Sequence, residues 1–412
     1  MGSKHPPFLC RHNMCWAEFL SAILLLGGVM SDRVFAQAGN ADENAAGAGA
    51  SSGSYAEDTV NPAQKQNVNN IRVILTSGKF ADDKQKKDFD DYYKTYALAR
   101  WTQVSNINNL RDYSKRDYHN DIMINLAQAK SGEVHDYLNN LVLDYMSKLA
   151  KNNYHPAVRI NAMLTIGDLN STDSIQPTQN TPLPDAVKVL LETINDDKQI
   201  EPVKIAALVG INRHVTAGVN DPQIQNQIFK EMLKLVSDAD AADPSDIGRA
   251  WMSKQAAEIL GMLGDPGTNN QAVKLLSGFV GDSKAPPFLR LTAAEALGKL
   301  YARASGLNPV DLATPLGRLI RDACNEELKT SKDAKLSPDD HRRRLKSRLG
   351  PAMEGLEELK QLAKDNTSLD KLQTIFKTLL KNLDDPKLDG KEMKKSVEDR
   401  QRELDGWLSN KP

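Results

Sequence analysis

Residues Pro287 to Leu300 read PFLRLTAAEALGKL, and a closely similar string, PAVRINAMLTIGDL, occupies Pro156 to Leu169. Aligned on Ala162 and Ala293, the pairs Val158/Leu289, Arg159/Arg290, Ile160/Leu291, Ile166/Leu297, Gly167/Gly298 and Leu169/Leu300 coincide. Two further copies lie between them. Pro202-Val203-Lys204-Ile205-Ala206-Ala207 lacks one residue after the Pro, and Ala256 to Leu263, AAEILGML, repeats the AAExLGxL of Ala293 to Leu300 without the Pro and the Arg. The equivalent alanines Ala162, Ala207, Ala256 and Ala293 are 45, 49 and 37 residues apart, a period that marks stacked helix pairs with inserted loops. One such unit cannot bury its apolar face alone, so each copy requires neighbours.

Each copy is the second helix of a predicted pair. Glu133 to Ala150 carries Val134, Leu138, Leu141, Val142, Tyr145, Met146 and Leu149 at helical spacing, and Pro156 then opens the partner helix at a favoured first position. The spacing predicts three more pairs: Leu183 to Ile194 with Pro202 to Ala217, Pro222 to Val236 with Asp246 to Leu263, and Gln271 to Phe279 with Pro287 to Ala304. Insertions at Asn170 to Pro182 and Ser237 to Ser245 are rich in Pro, Asp and Ser and read as surface loops.

The order Pro, hydrophobic, Arg, hydrophobic and Ala, closed by an apolar residue and Gly, resembles the second helix of HEAT repeats over Glu133 to Ser305. The resemblance implies an all-α fold, an α-solenoid of HEAT-like helix pairs with helical N-terminal and C-terminal caps. With a leader ahead of it, the chain is similar to exported bacterial HEAT-repeat proteins, and no particular chemistry follows, because such repeats serve unrelated roles. The expected organisation is a signal peptide at 1–38, a flexible low-complexity linker at 39–60, a helical N-terminal cap at 61–132, the HEAT-like repeat array at 133–305 and a helical C-terminal region at 306–412. In the third copy Ser253 stands where the others carry Arg or Lys.

The leader is read from Lys4 and Arg11, the apolar run Phe19 to Met30, and the small residues Ala36-Gln37-Ala38, with cleavage expected after Ala38 and a periplasmic or secreted destination. That run is well short of the ~20 residues needed to cross a bilayer, so no transmembrane segment is expected once the leader is removed. A net charge of −1 on 412 residues supplies no field to recruit nucleic acid, which is not an expected partner. The densest basic run, His341 to Arg348 (HRRRLKSR), sits between Asp339, Asp340 and Glu354, Glu357, Glu358 and reads as a self-paired helix face. Pro351 is expected to kink or break the helix that follows. Cys10 and Cys15 fall in the leader, which leaves Cys324 as a buried structural thiol.

Signatures of catalysis are missing. The chain has no HExxH, CxxC, CxxCH or GxxxxGK[ST], no His is followed by Glu, and His119, His135, His155, His214 and His341 fall on separate predicted elements. No catalytic residue, cofactor or metal set is expected, and an enzyme with a site assembled between repeats is the remotest reading. Binding is the expectation. Arg159, Lys204 and Arg290 share one position on successive helices and, with Arg213 and His214, would line a concave face that takes an acidic protein or peptide; alternatively they bond turn carbonyls and acids of the neighbouring repeat. Phe89, Tyr92, Tyr93 and Tyr96 fall on one helical face, followed by Trp101. These rings either cover the open end of the array or form an aromatic surface, with Tyr92, Tyr93 and Trp101 exposed for a carbohydrate of the cell envelope.

Overall fold

The computed structural model describes residues 55–123, 132–174, 180–240, 246–330, 337–364, 366–385 and 389–410. The expected leader, with Cys10 and Cys15, and most of the expected linker lie outside these residues. The elements that follow lie in the unit Glu57–Pro412.

The described chain is all-α apart from one short ribbon. A 3₁₀ turn at Pro62–Asn67 leads into α1 (Val68–Ser77), which ends at Gly78 in the left-handed region at φ 73°. Asp82 accepts from the Gln85 N–H to cap α2 (Asp83–Tyr92), which continues through a π turn at Tyr93–Ala97 and a 3₁₀ turn at Ala99–Thr102. After α3 (Leu110–Ser114) come α4 (Glu133–Lys151) and α5 (Pro156–Asp168). Then β1 (Asn170–Thr172) pairs antiparallel with β2 (Thr181–Pro182), so the insertion expected as plain loop holds a two-stranded ribbon. The chain goes on through α6 (Pro184–Asn195), α7 (Glu201–Ala217), α8 (Pro222–Asp240), α9 (Ile247–Leu263), α10 (Gln271–Gly281) and α11 (Pro287–Tyr301). The last four helices are α12 (Ala313–Thr330), α13 (Pro338–Leu362), α14 (Thr367–Asp384) and α15 (Gly390–Ser409). A reciprocal Ser337–Asp340 capping box starts α13, which runs through Pro351 without a break although the ring removes one helical donor.

Helices α4 and α5, α6 and α7, α8 and α9, and α10 and α11 pack as pairs, and the second helix of each pair packs on the second helix of the next, in the order α5, α7, α9, α11. The small residues of the repeated string lie at these crossings. A Cβ on Gly167 would stand 2.7 Å from the Cα of Gly210, and one on Gly261 would stand 2.8 Å from the Cα of Ala296. In both cases the position five after the template alanine meets the position three after the next one. The same offset recurs once more: a Cβ on Gly298 of α11 would stand 2.9 Å from the Cα of Gly355 of α13. Gly355 lies three after Ala352, and Ala352 to Leu359, AMEGLEEL, then aligns with AAEALGKL. Pair α12–α13, within the region 306–412, therefore packs its second helix on α11 at the same offset, as a fifth copy of the string would. Only the α7–α9 crossing lacks a small residue at these two positions, which are Asn212 and Ile259.

Beyond the fifth pair, α14 packs on α13 and α15 packs on both α12 and α14. The mostly polar α15 is fixed by Met393, Val397, Leu404 and Trp407, all buried, and the Trp407 ring lies where a side chain on Gly317 of α12 would go. Residues 57–60, expected as the end of a flexible linker, are instead held by the folded unit. The Asp58 carboxylate accepts from Tyr145 Oη at 2.5 Å, Tyr154 Oη at 2.6 Å and Lys148 Nζ at 2.9 Å, while its backbone N–H donates to Thr102 Oγ1.

Candidate functional site

The basic residues that share a template position do not form a free ladder. Arg290 is 3 % exposed and donates to the Val280 carbonyl at 3.2 Å, near the end of α10, and to Asp322 Oδ2 at 3.1 Å. Half-buried Arg159 does the same on the first pair: its Nε donates to the Ala150 carbonyl at 3.2 Å, near the end of α4, and its guanidinium also bonds Gln199. Where the third copy carries Ser253, the hydroxyl donates to the Leu235 carbonyl of α8 at 3.1 Å. Arg290 and Arg159 therefore tie off a carbonyl in the last turn of their paired helix, where the carbonyls have no intrahelical donor, whereas the Leu235 carbonyl bonded by Ser253 lies about a turn before the end of α8. Lys204 is half-exposed and stands apart from this pattern.

Arg213 and His214 are absorbed too. Arg213 donates to the Gly167 carbonyl at 2.8 Å and to Asn170 Oδ1, tying α7 to the ribbon. His214 is 2 % exposed, and burial, with Arg213 adding repulsion, pushes its pKa down to about 3, so the ring is neutral. Its Nε2 has no partner among the described residues. The expected aromatic surface is also corrected: Tyr92, Tyr93 and Trp101 are 6 %, 0 % and 0 % exposed. Phe89 lies 4.6 Å from Tyr93, Tyr92 lies 5.2 Å from Tyr93, and Tyr93 Oη donates to Asp121 at 2.7 Å, so the stripe is an interior cluster, in which the Trp101 indole N–H finds no partner among the described residues. Large rings gain more from burial than their single polar tips lose when those tips are bonded.

Two further polar groupings join residues distant in sequence. Buried Glu327 of α12 accepts from Arg344 at 2.8 and 3.1 Å and bonds His341 Nδ1 at 2.6 Å. Arg342 and Arg343 pair with Asp339 and Asp340, and Lys346 with Asp384 of α14, so the HRRRLKSR run staples three helices. Burial, with Glu327 adding to it, pushes the Cys324 thiol up to about 12. Near the ribbon, His135 Nε2 bonds Asp173 at 2.9 Å and Nδ1 bonds Asp136 at 3.1 Å. The bond to Asp173 outweighs burial and raises the His135 pKa. With both ring nitrogens engaged by carboxylates, this histidine has none to offer as a base. Among the described residues no three His, Cys, Asp or Glu side chains gather to hold a metal ion.

What stays open is one face of the second helices. Two residues after the template alanine, the five copies carry Leu164, Val209, Glu258, Glu295 and Glu354, none of them buried, while their neighbours along each helix point into the core. Comparison with known families, curated proteins and solved structures finds no match for this chain. Five residues before the alanine the copies carry Ala157, Pro202, Trp251, Phe288 and Ser347, also none of them buried, and Trp251 and Phe288 stack across α9 and α11 with ring centroids 5.4 Å apart. Lys254 sits 5.5 Å over the Trp251 ring and pairs with Glu258 at 3.2 Å; Lys299 pairs with Glu295 at 2.7 Å. Sequence reasoning passed over this face because its residue types change along the array. The signal was there in the alignment, two residues after and five residues before each template alanine.

Proposed function

We propose that the chain is a non-catalytic α-solenoid of HEAT-like helix pairs that binds a protein or peptide partner through the open face of its second helices. The reading rests on one observation: equivalent positions on the second helices of five successive pairs, from Leu164 to Glu354, stay unburied at the same offset from a buried alanine. Successive units that each offer one row of side chains make an extended surface suited to a long ligand. An exported location, periplasmic or secreted, is part of the same proposal and draws on the leader-like composition of residues 1–38.

A photo-crosslinking residue at Val209 or Glu295, set against one at the exposed Lys274 of α10, tests the binding face in intact cells. The expected result is a discrete adduct from Val209 and Glu295 that disappears when Trp251 and Phe288 are changed to Ala. Adducts from Lys274 alone, or adducts indifferent to Trp251 and Phe288, overturn the proposal.

A further inference from the structure

The first residues of the unit Glu57–Pro412 lie against it as a bound peptide would. Their anchor is the Asp58 carboxylate, and the three groups that bond it, Tyr145, Lys148 and Tyr154, lie on α4 or at the entry to α5. Lys148 Nζ stands 5.3 Å from the centre of the Tyr145 ring and 5.8 Å from that of Tyr154, so the two rings place the ammonium as well as flank it. Two hydroxyl donors and one cation thus converge on a point, and a carboxylate answers all three. The cradle is built without any residue of 57–61.

The rest of the hold uses groups that any extended chain carries. The Asp58 N–H donates to Thr102 Oγ1 at 2.8 Å, its carbonyl accepts from Gln103 Nε2 at 2.9 Å, and the Asn61 N–H donates to the Thr95 carbonyl at 2.7 Å. Glu57 adds a second acidic contact, accepting from the Val104 N–H at 2.7 Å. Burial alternates along the segment, with Asp58 and Val60 half-buried and Glu57, Thr59 and Asn61 exposed, as in an extended chain. Main-chain bonds that fix an extended segment, with pockets for alternate side chains, are a recurring mode of peptide recognition. Polar bonds of this kind replace bonds to water and each adds little net stability, so such a segment opens locally while the unit beneath stays folded.

We propose that the cradle of Tyr145, Lys148 and Tyr154 is a binding site for an extended acidic segment of a partner protein, of the form Glu-Asp-x-apolar, and that residues 57–61 occupy it until such a segment displaces them. The inference stands apart from the open face of the second helices. A tethered segment competes at an effective concentration on the order of millimolar. A free peptide therefore binds weakly to the intact chain and well once Asp58 is removed.

Fluorescence anisotropy on the full chain tests it with two labelled synthetic peptides: SYAEDTVN, the sequence of Ser54 to Asn61, and the same peptide with asparagine in place of its aspartate. The Asp58→Ala chain should bind the first at least tenfold more tightly than wild type does. It should also prefer the first peptide to the second at least tenfold, with the difference shrinking as salt rises. Adding Lys148→Met and Tyr154→Phe to Asp58→Ala should remove the preference, with thermal melting confirming that the variants fold. On the wild type, saturating aspartate peptide should quicken hydrogen exchange of residues 57–61 and leave that of α4 unchanged, a readout that needs no variant. Equal binding of the two peptides by the Asp58→Ala chain, no gain over wild type, a preference that survives loss of Lys148 and Tyr154, or exchange at 57–61 indifferent to peptide overturns the proposal.

Discussion

Gly167 of α5 and Gly210 of α7 meet backbone to backbone: a Cβ added to Gly210 would stand 2.9 Å from the Gly167 Cα and 2.9 Å from Leu190 Cδ1. Neither glycine has a positive φ, so the requirement is for space and not for conformation. Overfilling a packed contact costs about 1–3 kcal/mol. Gly210→Ala should therefore lower the urea midpoint, whereas Gly278→Ala, where a Cβ meets nothing within 4 Å, should leave it unchanged or raise it by up to ~1 kcal/mol through helix propensity. Equal effects of the two substitutions would remove the close crossing as an explanation.

Arg290→Ala removes a buried cation that serves the Val280 carbonyl and Asp322 at once. Breaking one side of a buried pair costs about 3–5 kcal/mol, while the half-buried Arg159→Ala should cost nearer 1 kcal/mol. Chemical denaturation of the two variants measures the difference. Peptide binding by the folded fraction should be unchanged in both, since neither guanidinium faces the open surface.

His214 occupies the template position at which the other four copies carry Leu169, Leu263, Leu300 and Leu359. Buried with an Nε2 that has no partner among the described residues, it carries a desolvation cost that Leu avoids, so His214→Leu should stabilise the protein by about 1–3 kcal/mol. The pH dependence has a definite sign. The folded pKa of about 3 is depressed below an ordinary value of about 6.5, so the wild type loses stability as pH falls between those limits, when the unfolded chain takes up a proton that the folded one refuses. Denaturant midpoints between pH 7 and pH 4 should fall less steeply in the Leu variant; parallel profiles would count against the neutral buried ring.

Asp58 is 20 % exposed and held by two hydroxyls and an ammonium. Burial disfavours its charge, but the bonds from Tyr145, Tyr154 and Lys148 outweigh this and hold the carboxyl below its ordinary value. The stability it confers is present above the unfolded value near 3.9 and is lost as pH falls through the folded one. Asp58→Asn should leave the helical core intact while hydrogen exchange of residues 57 to 61 quickens at neutral pH. Unchanged exchange there would show that the neighbouring backbone bonds suffice.

The repeat was legible because buried small residues at fixed offsets leave a signature that loop length does not erase. The fifth copy escaped because Leu349 replaces its basic residue and the step from Ala293 to Ala352 is longer than the others. Periodicity placed Phe89, Tyr92, Tyr93 and Tyr96 on a common face, but a shared face carries no information about whether it points inward. Shared position likewise grouped Arg159 and Arg290 without revealing that each side chain folds back on its own pair. The contacts of Glu327 with Arg344, of Asp58 with Tyr154, and of His135 with Asp173 join distant residues, and no local pattern announces them.

The crossing of α7 and α9 sets Asn212 opposite Ile259 where the others set glycine or alanine. Bulkier side chains hold helix axes further apart, so this crossing should be the looser step in the stack. A protease acting in the stretch just before α8 should release two halves that each keep their secondary structure for a time, and single-molecule extension should record two rips separated there. A long ligand laid across both halves would act as a splint, fusing the two events into one.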